Sequence, residues 1–489
     1  MTSTLLPLDP ANVQGDILVG LPKKVQHYLF FQIDDDVAAF RKRLHLLIPF
    51  ITNTTQAQDD RAKIAAHKKA AVEQGKNYEF LQLSGVNIAF SQFGLTKLGI
   101  TDDMGDTAFT DGQQKDSKNL GDAGAPGADG EFVPNWIDAF KGQIHGVVLI
   151  SGNCDLTVTA TQATVLSIFN VGARITLHEV ITLKGVVRPE RGHEHFGFRD
   201  GISQPAVKDF DTKPNPGQET VRQGVILCGR EGDVDANEES EKPFNRPACA
   251  LDGSFLALRY LFQLVPEFNN FLKASSDPTK GLTADLLGAR LVGRWKSGAP
   301  VDVFPLADNP AAGEDVLQNN NFRYDFPNDF ETQDRCPFAA HTRKTNPRND
   351  LEGPKIGVPT ENRRIIRRGI PFGPEVTPEE ATSGKTLHGR GLIFAAYCGS
   401  ITNSFQFIQK SWANKVEFPP KEHVNPGFDP IIGQNKDGPN GVGPRSMVGA
   451  NPSDQSATLS LPVEWVVPKG GEYFFSPSIS VLRDTFALA

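Results

Sequence analysis

Short runs of β-branched and aromatic residues alternate along the chain with longer segments in which apolar residues recur at helical spacing. In the first half, the short runs predict strands at 26–33, 84–91, 144–151 and 174–185. Helical periodicity in the same half predicts helices at 36–50, 56–74 and 158–170. Strands and helices therefore alternate, which is typical of a mixed fold of helices and sheets.

The second half of the chain repeats this alternation. The predicted strands lie at 255–265, 363–370 and 391–399, and the predicted helices at 282–295 and 400–414. Two α+β units, each with one antiparallel sheet of the ferredoxin-like kind, fit this order of elements. The predicted fold class is therefore α+β, with two ferredoxin-like domains.

Five long segments rich in Gly, Pro, Asp and Asn separate the predicted elements, and such segments are usually surface insertions or binding loops. These segments lie at 102–135, 207–218, 231–250, 299–335 and 424–457. The acidic, polar residues 231–245 form the candidate linker. The predicted domains are therefore 1–240 and 241–489.

The composition is that of a folded globular protein, because 39% of the 489 residues are hydrophobic and 22% are charged. The net charge of −8 lacks the basic excess of a nucleic-acid binder, so DNA and RNA are not expected as partners. No window approaches the run of about 18 apolar residues that a membrane-spanning helix needs, so no membrane is expected either. The five cysteines lie far apart without a CxxC motif, which predicts buried thiols rather than a disulfide framework or a thiolate zinc site.

Two histidines in the sequence HEH are candidate metal ligands. His193 and His195 share one face of an extended segment, so both imidazoles are able to reach one metal ion. With Asp200 five residues further on, the pattern resembles a site of two histidines and one carboxylate. A pair of exposed or hydrogen-bonded histidines explains the same pattern, and both interpretations stay open at this point.

Three other stretches carry candidate chemistry. Asp200 lies in GFRDGISQP, where glycine permits a sharp turn and a carboxylate can act as an acid or base, although an ordinary Asp-Gly turn has the same sequence. In RRIIRRGIPFG, strand alternation sends Arg367 and Arg368 to opposite faces, one toward an anion or peroxide and the other toward water, unless both form structural ion pairs. His341 lies in a basic run and is either a ligand or a solvated side chain.

Several common catalytic motifs are absent from the sequence. It contains no P-loop, no GxGxxG after a strand, no GxSxG elbow and no HExxH. The sequence therefore gives no motif in support of four classes of enzyme: those driven by nucleotides, dinucleotide-dependent redox enzymes, serine hydrolases and the common zinc proteases. The aspartate, histidine and arginine stretches need another explanation.

Five sequence blocks resemble, in the same order, those of the dye-decolourising peroxidases, and specifically of their long fungal branch. These blocks are NVQGDILVGLPK (12–23), GFRDG (197–201), HTRKTNPR (341–348), IIRRGIPFG (365–373) and GRGLIFAAY (389–397). They are similar to the N-terminal motif of the family, its GxxDG signature, its proximal-histidine block, its distal arginine strand and the apolar strand beside it. The resemblance covers nearly the whole chain, and five ordered blocks are far more specific than any one of them.

The resemblance implies a haem peroxidase that reduces hydrogen peroxide and oxidises dyes and phenolic aromatic compounds in one-electron steps through a ferryl intermediate. It implies two ferredoxin-like halves, with the distal GxxDG motif in the N-terminal domain. Haem b would lie between the sheet and the helices of the C-terminal half. By the same resemblance the protein is expected to be secreted, although no signal peptide is visible in the sequence. The resemblance leaves the oligomeric state open.

The resemblance also implies a role for each matching residue. His341 would be the proximal ligand of the haem iron, a role that suits neutral imidazole. Asp200 would lie over the distal face and move a proton from one peroxide oxygen to the other. Arg367 would stabilise the charge that develops on the departing oxygen.

Other matching positions are expected to hold the cofactor. Leu392 and Phe394 match apolar positions of the distal pocket, and Phe198, inside GFRDG, is assigned to the same pocket. Arg343, two residues after the proximal histidine, is expected to bind a haem propionate because guanidinium binds carboxylates in a bidentate manner.

Trp412 is similar in position to the surface tryptophan through which the family oxidises substrates too large for its pocket. A partly buried structural tryptophan is the alternative. The carboxylate expected beside the proximal histidine is not evident, and Gln406 occupies the neighbourhood where the family pattern places it. Such a partner tunes the basicity of the ligand.

Two alternatives to the peroxidase remain at the level of the sequence. One is a non-haem metalloenzyme that uses His193, His195 and Asp200. The other is a non-catalytic haem-binding protein on the same fold. The peroxidase is expected to be active at acidic pH, because an aspartate, with a reference pKa of about 3.9, stays ionised where a histidine base, at about 6.5, is protonated.

Overall fold

The computed structural model describes residues 7–76, 80–128, 130–235, 242–327, 329, 332–438 and 441–488. Its strands are β1 (Val25–Ile33), β2 (Ser84–Phe90), β3 (Gly124–Pro126), β4 (Phe132–Pro134), β5 (Gly146–Gly152), β6 (Leu177–Val186), β7 (Ala206–Val207), β8 (Thr220–Val221), β9 (Val234–Asp235), β10 (Lys242–Pro243), β11 (Ser254–Gln263), β12 (Ile366–Arg367), β13 (Ile370–Phe372), β14 (Gly391–Cys398), β15 (Arg445–Met447), β16 (Leu459–Leu461) and β17 (Val466–Ser476).

The α-helices vary from three residues to twenty. They are α1 (Gly15–Leu18), α2 (Val37–Leu47), α3 (Thr54–Glu73), α4 (Gln92–Lys97), α5 (Thr107–Asp111), α6 (Gln113–Leu120), α7 (Asp155–Phe169), α8 (Val265–Ser275), α9 (Ala284–Val292), α10 (Pro310–Glu314), α11 (His341–Thr345), α12 (Asn349–Glu352), α13 (Pro378–Ser383), α14 (Phe405–Phe407) and α15 (Ile479–Val481). A π-helix, Ile408–Ala413, continues α14, and a second π-helix, Leu482–Phe486, continues α15.

One antiparallel sheet organises the molecule, with the strand order β12-β14-β11-β17-β2-β5-β1-β6 and with β13 also paired to β14. Strands β1, β2, β5 and β6 come from the first half of the chain, and the others from the second half. The two groups meet where Phe475 of β17 pairs with Phe90 of β2. The structure thus confirms the predicted α+β class with antiparallel sheets.

Both faces of this sheet are buried, and strand alternation assigns each side chain to one of them. On β1, Phe30 packs in one apolar cluster while Phe31 packs in another. The cluster of Phe31 includes α2 and α7, where the rings of Phe40 and Phe169 stack with centroids 5.0 Å apart. The side chains on the two faces thus build two separate cores from one set of strands.

The two edges of the sheet approach each other closely. A Cβ added to Gly185 of β6 would lie 2.2 Å from Cγ2 of Ile370 in β13. Such a distance is far shorter than a normal carbon–carbon contact, so only glycine permits the approach. The sheet therefore curls until its two ends touch.

The sequence predicted the long regular elements and missed those without a clear period. The predicted strands of the first half correspond to β1, β2, β5 and β6, and the predicted helices to α2, α3 and α7. Strand β17, one of the central strands, was not predicted, because Pro468 and the pair Gly470 and Gly471 interrupt its pattern. Helix α8 was also missed, and the segment 102–135, predicted as a loop, contains α5 and α6.

The two predicted elements nearest the proposed chemistry differ most from expectation. The strand predicted at 363–370 is split into the two short strands β12 and β13. The helix predicted at 400–414 begins only at Phe405 and is mostly π-helical. π-Helical turns are rare and frequently occur at functional sites.

The predicted domain boundary between residues 240 and 241 lies within 236–241, outside the described residues. Part of the candidate linker 231–245 lies outside them for the same reason. All five cysteines are free thiols, and four of them are buried, as predicted, whereas Cys154 is only half-buried. Within the described ranges, no helix is both long and apolar enough to cross a membrane.

Candidate functional site

A cavity of about 290 Å³ lies between one face of the sheet and the helices of the second half of the chain. Strand alternation turns Leu392 and Phe394 of β14, and Leu261 of β11, toward this space. The opposite wall includes Val292 at the end of α9 and His341 at the start of α11. The chamber therefore brings together segments that lie far apart in the sequence.

Asp200 reaches this cavity from the turn that the GFRDG motif forms. Its backbone N–H donates to the carbonyl of Gly192 at 2.8 Å. Gly201 has φ +79°, a conformation that favours glycine, and its N–H donates to Asp200 Oδ1 at 2.6 Å. The glycine thus turns the chain away directly after Asp200, and the carboxylate is left facing the cavity, where 38% of the side chain is exposed.

Arg367 meets Asp200 at the cavity wall, where its guanidinium forms an ion pair with the carboxylate. Gln204 holds the backbone of Arg367 in place: its Oε1 accepts from the Arg367 N–H at 3.0 Å, and its Nε2 donates to the Arg367 carbonyl at 2.9 Å. Strand β12 has only two residues. On the edge of β12 that no described strand pairs with, the side-chain amide of Gln204 forms the two backbone hydrogen bonds that a neighbouring strand would form. The motif GFRDGISQP therefore supplies both the carboxylate and the clamp that positions its arginine partner.

Arg368 lies on the other face, as strand alternation predicts, but not in water. Its Nε donates to the carbonyl of Asp16 at 2.8 Å, and its Nη2 donates to the carbonyl of Leu18 at 2.7 Å. These carbonyls belong to the short helix α1, whose last carbonyl groups need donors. The expectation that the second arginine stays in water is therefore wrong, because it caps α1.

The pKa of Asp200 lies below its ordinary value. Burial raises this pKa, but the charge and hydrogen bond of Arg367, together with the Gly201 N–H, outweigh the effect of burial. A depressed pKa means that the carboxylate persists as pH falls, until the solution becomes more acidic than this lowered pKa. The group is therefore available as a base at acidic pH.

Replacing Arg367 by leucine is expected to move the acid limb of the pH profile to higher pH. Without the guanidinium, the contribution of burial dominates and the pKa of Asp200 rises. The measurement is the rate constant of the reaction with hydrogen peroxide as a function of pH. Arg364→Lys is the matched control, because Arg364 also lines the cavity but pairs with Glu219. An unchanged acid limb in Arg367→Leu would show that another group controls it.

His341 faces the cavity as the first residue of α11, and its Nδ1 lies 2.8 Å from Oδ2 of Asp429. Asp429 is fully buried and also accepts backbone N–H groups from Ile431 at 2.8 Å and Ile432 at 3.0 Å. A neutral imidazole that donates from Nδ1 keeps its lone pair on Nε2. The carboxylate therefore fixes the tautomer that is able to bind a metal through Nε2.

Burial lowers the pKa of His341, but the charge and hydrogen bond of Asp429 exceed that effect, so its pKa is raised. The pKa of Asp429 is lowered: burial raises it, but the histidine and the two backbone N–H groups outweigh burial. Asp429 is thus the partner that the sequence did not reveal. Gln406, at the position where the family pattern suggested such a partner, instead donates to Oδ1 of Asp116 at 2.8 Å.

Replacing Asp429 by asparagine is expected to weaken the binding of the haem that the sequence resemblance implies. The expected loss is roughly tenfold or more, because an imidazole that loses its carboxylate partner is a weaker and less ordered ligand. The reduction potential of the iron is expected to rise, since the ligand then donates less charge. Haem transfer to an acceptor protein and spectroelectrochemistry measure the two effects. Asp437→Asn, an exposed carboxylate of the same segment, is the matched control. Unchanged retention and potential would contradict this role for Asp429.

The residues of the cavity fit a flat cofactor held by one imidazole better than a bare metal ion. Among the described residues, no group of three or more His, Cys, Asp or Glu side chains is placed to hold a metal. One histidine lines the described cavity together with many apolar side chains, and the pair formed by Asp200 and Arg367 faces the same space, which matches the environment of a haem. Phe198, which is 4% exposed, and the pair Leu392 and Phe394 line the chamber.

His193 and His195 do not form the alternative metal site. Nε2 of His195 lies 2.8 Å from the carbonyl of Phe372, and burial lowers the pKa of this histidine to about 4. Both ring nitrogens of His193 lie 3.1 Å from backbone carbonyls, those of Arg191 and Lys296. The interpretation as a hydrogen-bonded histidine pair is therefore correct, and the metalloenzyme alternative is not supported.

The structure contradicts the role predicted for Arg343. This residue is fully buried and does not line the cavity. Its Nε and Nη2 each donate to a carboxylate oxygen of Asp350 at 2.7 Å, and Nη2 also donates to the carbonyl of Asp329 at 2.9 Å. The guanidinium therefore holds together the loop beside α11 and is not directed at a cofactor.

Trp412 is not a surface residue. It is 3% exposed, stacks on Phe418 with ring centroids 5.2 Å apart, and meets Phe407 edge to face at 5.6 Å. It lies in the π-helix that follows α14, and Ile408 of the same π-helix lines the cavity. The predicted surface position is wrong, because the aromatic cluster covers the indole, and a large substrate cannot contact it directly.

One family model and several known proteins are similar to this chain in sequence. A family model described as the DyP dimeric alpha+beta barrel domain matches residues 12–189. The dye-decolorizing peroxidase AauDyP1 of Auricularia auricula-judae is 43% identical, with 97% of this chain and 86% of that protein aligned. Peroxidase 2 of Mycetinis scorodonius is 42% identical, with 98% and 88% aligned.

Solved structures agree with the sequence comparisons. An ancestral D-type dye decolorizing peroxidase is 56% identical and superposes with a TM-score of 0.89, covering 99% of this chain and 100% of that one. A mutant of the dye-decolorizing peroxidase from Pleurotus ostreatus is 45% identical, with a TM-score of 0.90 and the same coverage. The similarity therefore extends over the whole sheet and both walls of the cavity.

Proposed function

Because this chain belongs to the dye-decolourising peroxidases, we propose that Asp200, Arg367 and His341 are the residues that carry its reaction. The protein is a haem peroxidase that reduces hydrogen peroxide and oxidises dyes. One observation supports the assignment: two groups face the same cavity. The first is the imidazole of His341, which the buried carboxylate of Asp429 holds, and the second is the ion pair of Asp200 and Arg367.

In this proposal His341 would hold the iron of haem b, and Asp429 keeps the ring in the tautomer whose Nε2 lone pair is available for a metal. When bound, haem supplies the redox chemistry, taking two oxidising equivalents from hydrogen peroxide and passing them to reductants one electron at a time. Phe198, Leu392 and Phe394 line the chamber and limit the water that shares it with peroxide. The apolar side chains thus keep the electrostatic effect of Arg367 strong.

Asp200 moves the proton of the reaction. A carboxylate oxygen accepts the proton from one oxygen of hydrogen peroxide and returns it to the other oxygen, which departs as water when the O–O bond breaks. The guanidinium of Arg367 stabilises the negative charge that develops on the departing oxygen. Gln204 holds the backbone of Arg367 in place before the reaction begins. The ion pair also keeps Asp200 ionised at acidic pH, which is the form that accepts a proton.

Phenolic compounds are the proposed reducing substrates besides dyes. A complex of a dye-decolorizing peroxidase with 2,6-dimethoxyphenol covers 99% of this chain at 41% identity, with a TM-score of 0.82. The cavity here has an apolar wall for an aromatic ring and polar groups for a hydroxyl. The alternative of a non-catalytic haem protein has no observation in its favour, since the matched relatives are named as peroxidases.

The test of the proposed function is the visible spectrum of the haem-reconstituted protein before and after one equivalent of hydrogen peroxide. A Soret band that shifts with peroxide and returns when a phenol is added is the expected result. Absence of any Soret band would overturn the haem site. A band that peroxide leaves unchanged would overturn the peroxidase reaction and leave haem binding.

Two further predictions from the sequence accompany this proposal. The division into domains at residues 1–240 and 241–489 stays a prediction, and limited proteolysis followed by mass spectrometry would test it. Secretion, inferred from the resemblance to the fungal family, also stays a prediction. Measuring peroxidase activity in the medium and in washed cells of the producing organism would test it.

A further inference from the structure

Arg259 is a buried cation at the wall of the cavity with one donor group unused. It lies on β11 and is 4% exposed, and it lines the cavity on the same face of the strand as Leu261 and Gln263. Its Nη2 donates to both carboxylate oxygens of Asp122, at 2.7 and 2.9 Å. Its Nη1 is buried and has no hydrogen-bond partner. A buried guanidinium nitrogen without an acceptor costs free energy unless a ligand supplies one.

The surroundings hold this guanidinium in a fixed position. Asp122 is fully buried and also accepts the indole N–H of Trp136 at 2.9 Å, so the carboxylate is held from two sides. On the sheet, Arg259 pairs with Gly471 of β17 and Phe394 of β14. The side chain of Gln113 fills the space over Gly471, since its Oε1 would lie 1.8 Å from a Cβ added there. Asp122 thus holds Nη2 of the guanidinium and leaves Nη1 available to a ligand.

We propose that Nη1 of Arg259 binds a carboxylate group of the haem, the role that the sequence suggested for Arg343. The inference rests on the proposed function, because it assumes that haem occupies the cavity. A charge-assisted hydrogen bond from guanidinium to carboxylate is stronger than a neutral one, and burial at the wall strengthens it further. The residue is a binding residue for the cofactor and takes no part in the proton transfer.

Five other arginines line the cavity. Arg199 and Arg363 each donate to a backbone carbonyl, that of Gly313 at 3.3 Å and that of Asn403 at 2.7 Å. The remaining three are less suited to this role because of their partners. Arg364 already faces two carboxylates, Glu219 and Glu352, which would repel a third. Arg367 is paired with Asp200. The third is Arg294, which donates to backbone carbonyls and to the side chains of Ser203 and Asn320, so those donors are occupied. Arg364 has an unpartnered Nε, which makes it the appropriate control.

The test compares the binding of haem b with that of its dimethyl ester, in which both carboxylates are blocked, to the apoprotein. Titration of the Soret band gives a dissociation constant for each compound, and their ratio measures what the carboxylates contribute, independently of turnover. The wild-type protein is expected to bind the free acid more tightly than the ester. Arg259→Lys keeps a positive charge beside Asp122 but lacks a second nitrogen that could reach the haem carboxylate. In this variant the preference for the free acid is expected to fall by about tenfold or more.

A double variant, Arg259→Gln with Asp122→Asn, guards against misfolding because it leaves no unpaired buried charge. It is expected to lose the same preference, whereas Arg364→Gln is expected to keep it. The inference is overturned if both Arg259 variants retain the wild-type ratio, or if only Arg364→Gln loses it. Equal binding of acid and ester by the wild-type protein also overturns it. Failure to bind either compound overturns the proposed haem site itself, which distinguishes the two results.

Discussion

Replacing Asp200 with asparagine is expected to slow the reaction with hydrogen peroxide by about 10²- to 10⁴-fold, the usual contribution of a positioned acid or base. Asparagine has nearly the same shape and still accepts a hydrogen bond from Arg367, but it cannot take a proton. Haem binding is expected to be unchanged, because Asp200 makes no contact with His341 or Asp429 among the hydrogen bonds of the described residues. The loss therefore affects the chemical step and leaves the cofactor site intact.

The measurement is stopped-flow absorbance of the Soret band after mixing with hydrogen peroxide, over a range of peroxide concentrations. Asp285→Asn is the matched control, because its exposed carboxylate pairs with Lys296 outside the cavity. A second-order rate constant for Asp200→Asn within a few-fold of the wild-type value would exclude Asp200 as the proton carrier. The same experiment separates a peroxidase from a haem-binding protein, since only catalysis needs the carboxylate.

Replacing His341 with alanine is expected to abolish the native Soret spectrum and most of the retained haem. His341 is the cavity-lining imidazole whose tautomer a buried carboxylate fixes, and no other histidine of the described residues lines the cavity. The substitution removes the ligand and leaves Asp429 buried without its partner, so a stability measurement must accompany the spectrum. Thermal unfolding of the apoproteins provides that measurement.

Added imidazole distinguishes loss of the ligand from general damage. The free base fits the space that the side chain vacates and has Asp429 as its hydrogen-bond acceptor, so it is expected to restore part of the Soret band. His193→Ala is the matched control, because its ring contacts backbone carbonyls away from the cavity and its loss should leave the spectrum unchanged. A native spectrum in His341→Ala, or its loss in His193→Ala, would overturn the assignment of the ligand.

Local sequence was sufficient for most of the fold. Strands β1, β2 and β5 are short apolar runs and helix α3 begins with a capping box at Asn53, so each has its own signal within a few residues. Strand β17 has no such signal. It is a strand because β11 and β2 lie on its two sides and supply hydrogen bonds that its glycines and proline would not secure alone.

The sequence by itself determined the family, the fold class and the three residues proposed to carry the reaction, because each of those residues lies inside a motif read along a continuous stretch of chain. Only the tertiary structure decided their partners. Asp429 lies 88 positions from His341 in a segment that resembled a surface loop. The tertiary structure likewise decided that Arg343 pairs with Asp350, that aromatic rings cover Trp412, and that Arg259 faces the cavity. Burial and pairing depend on which distant segments meet, and no periodicity or motif along one segment contains that information.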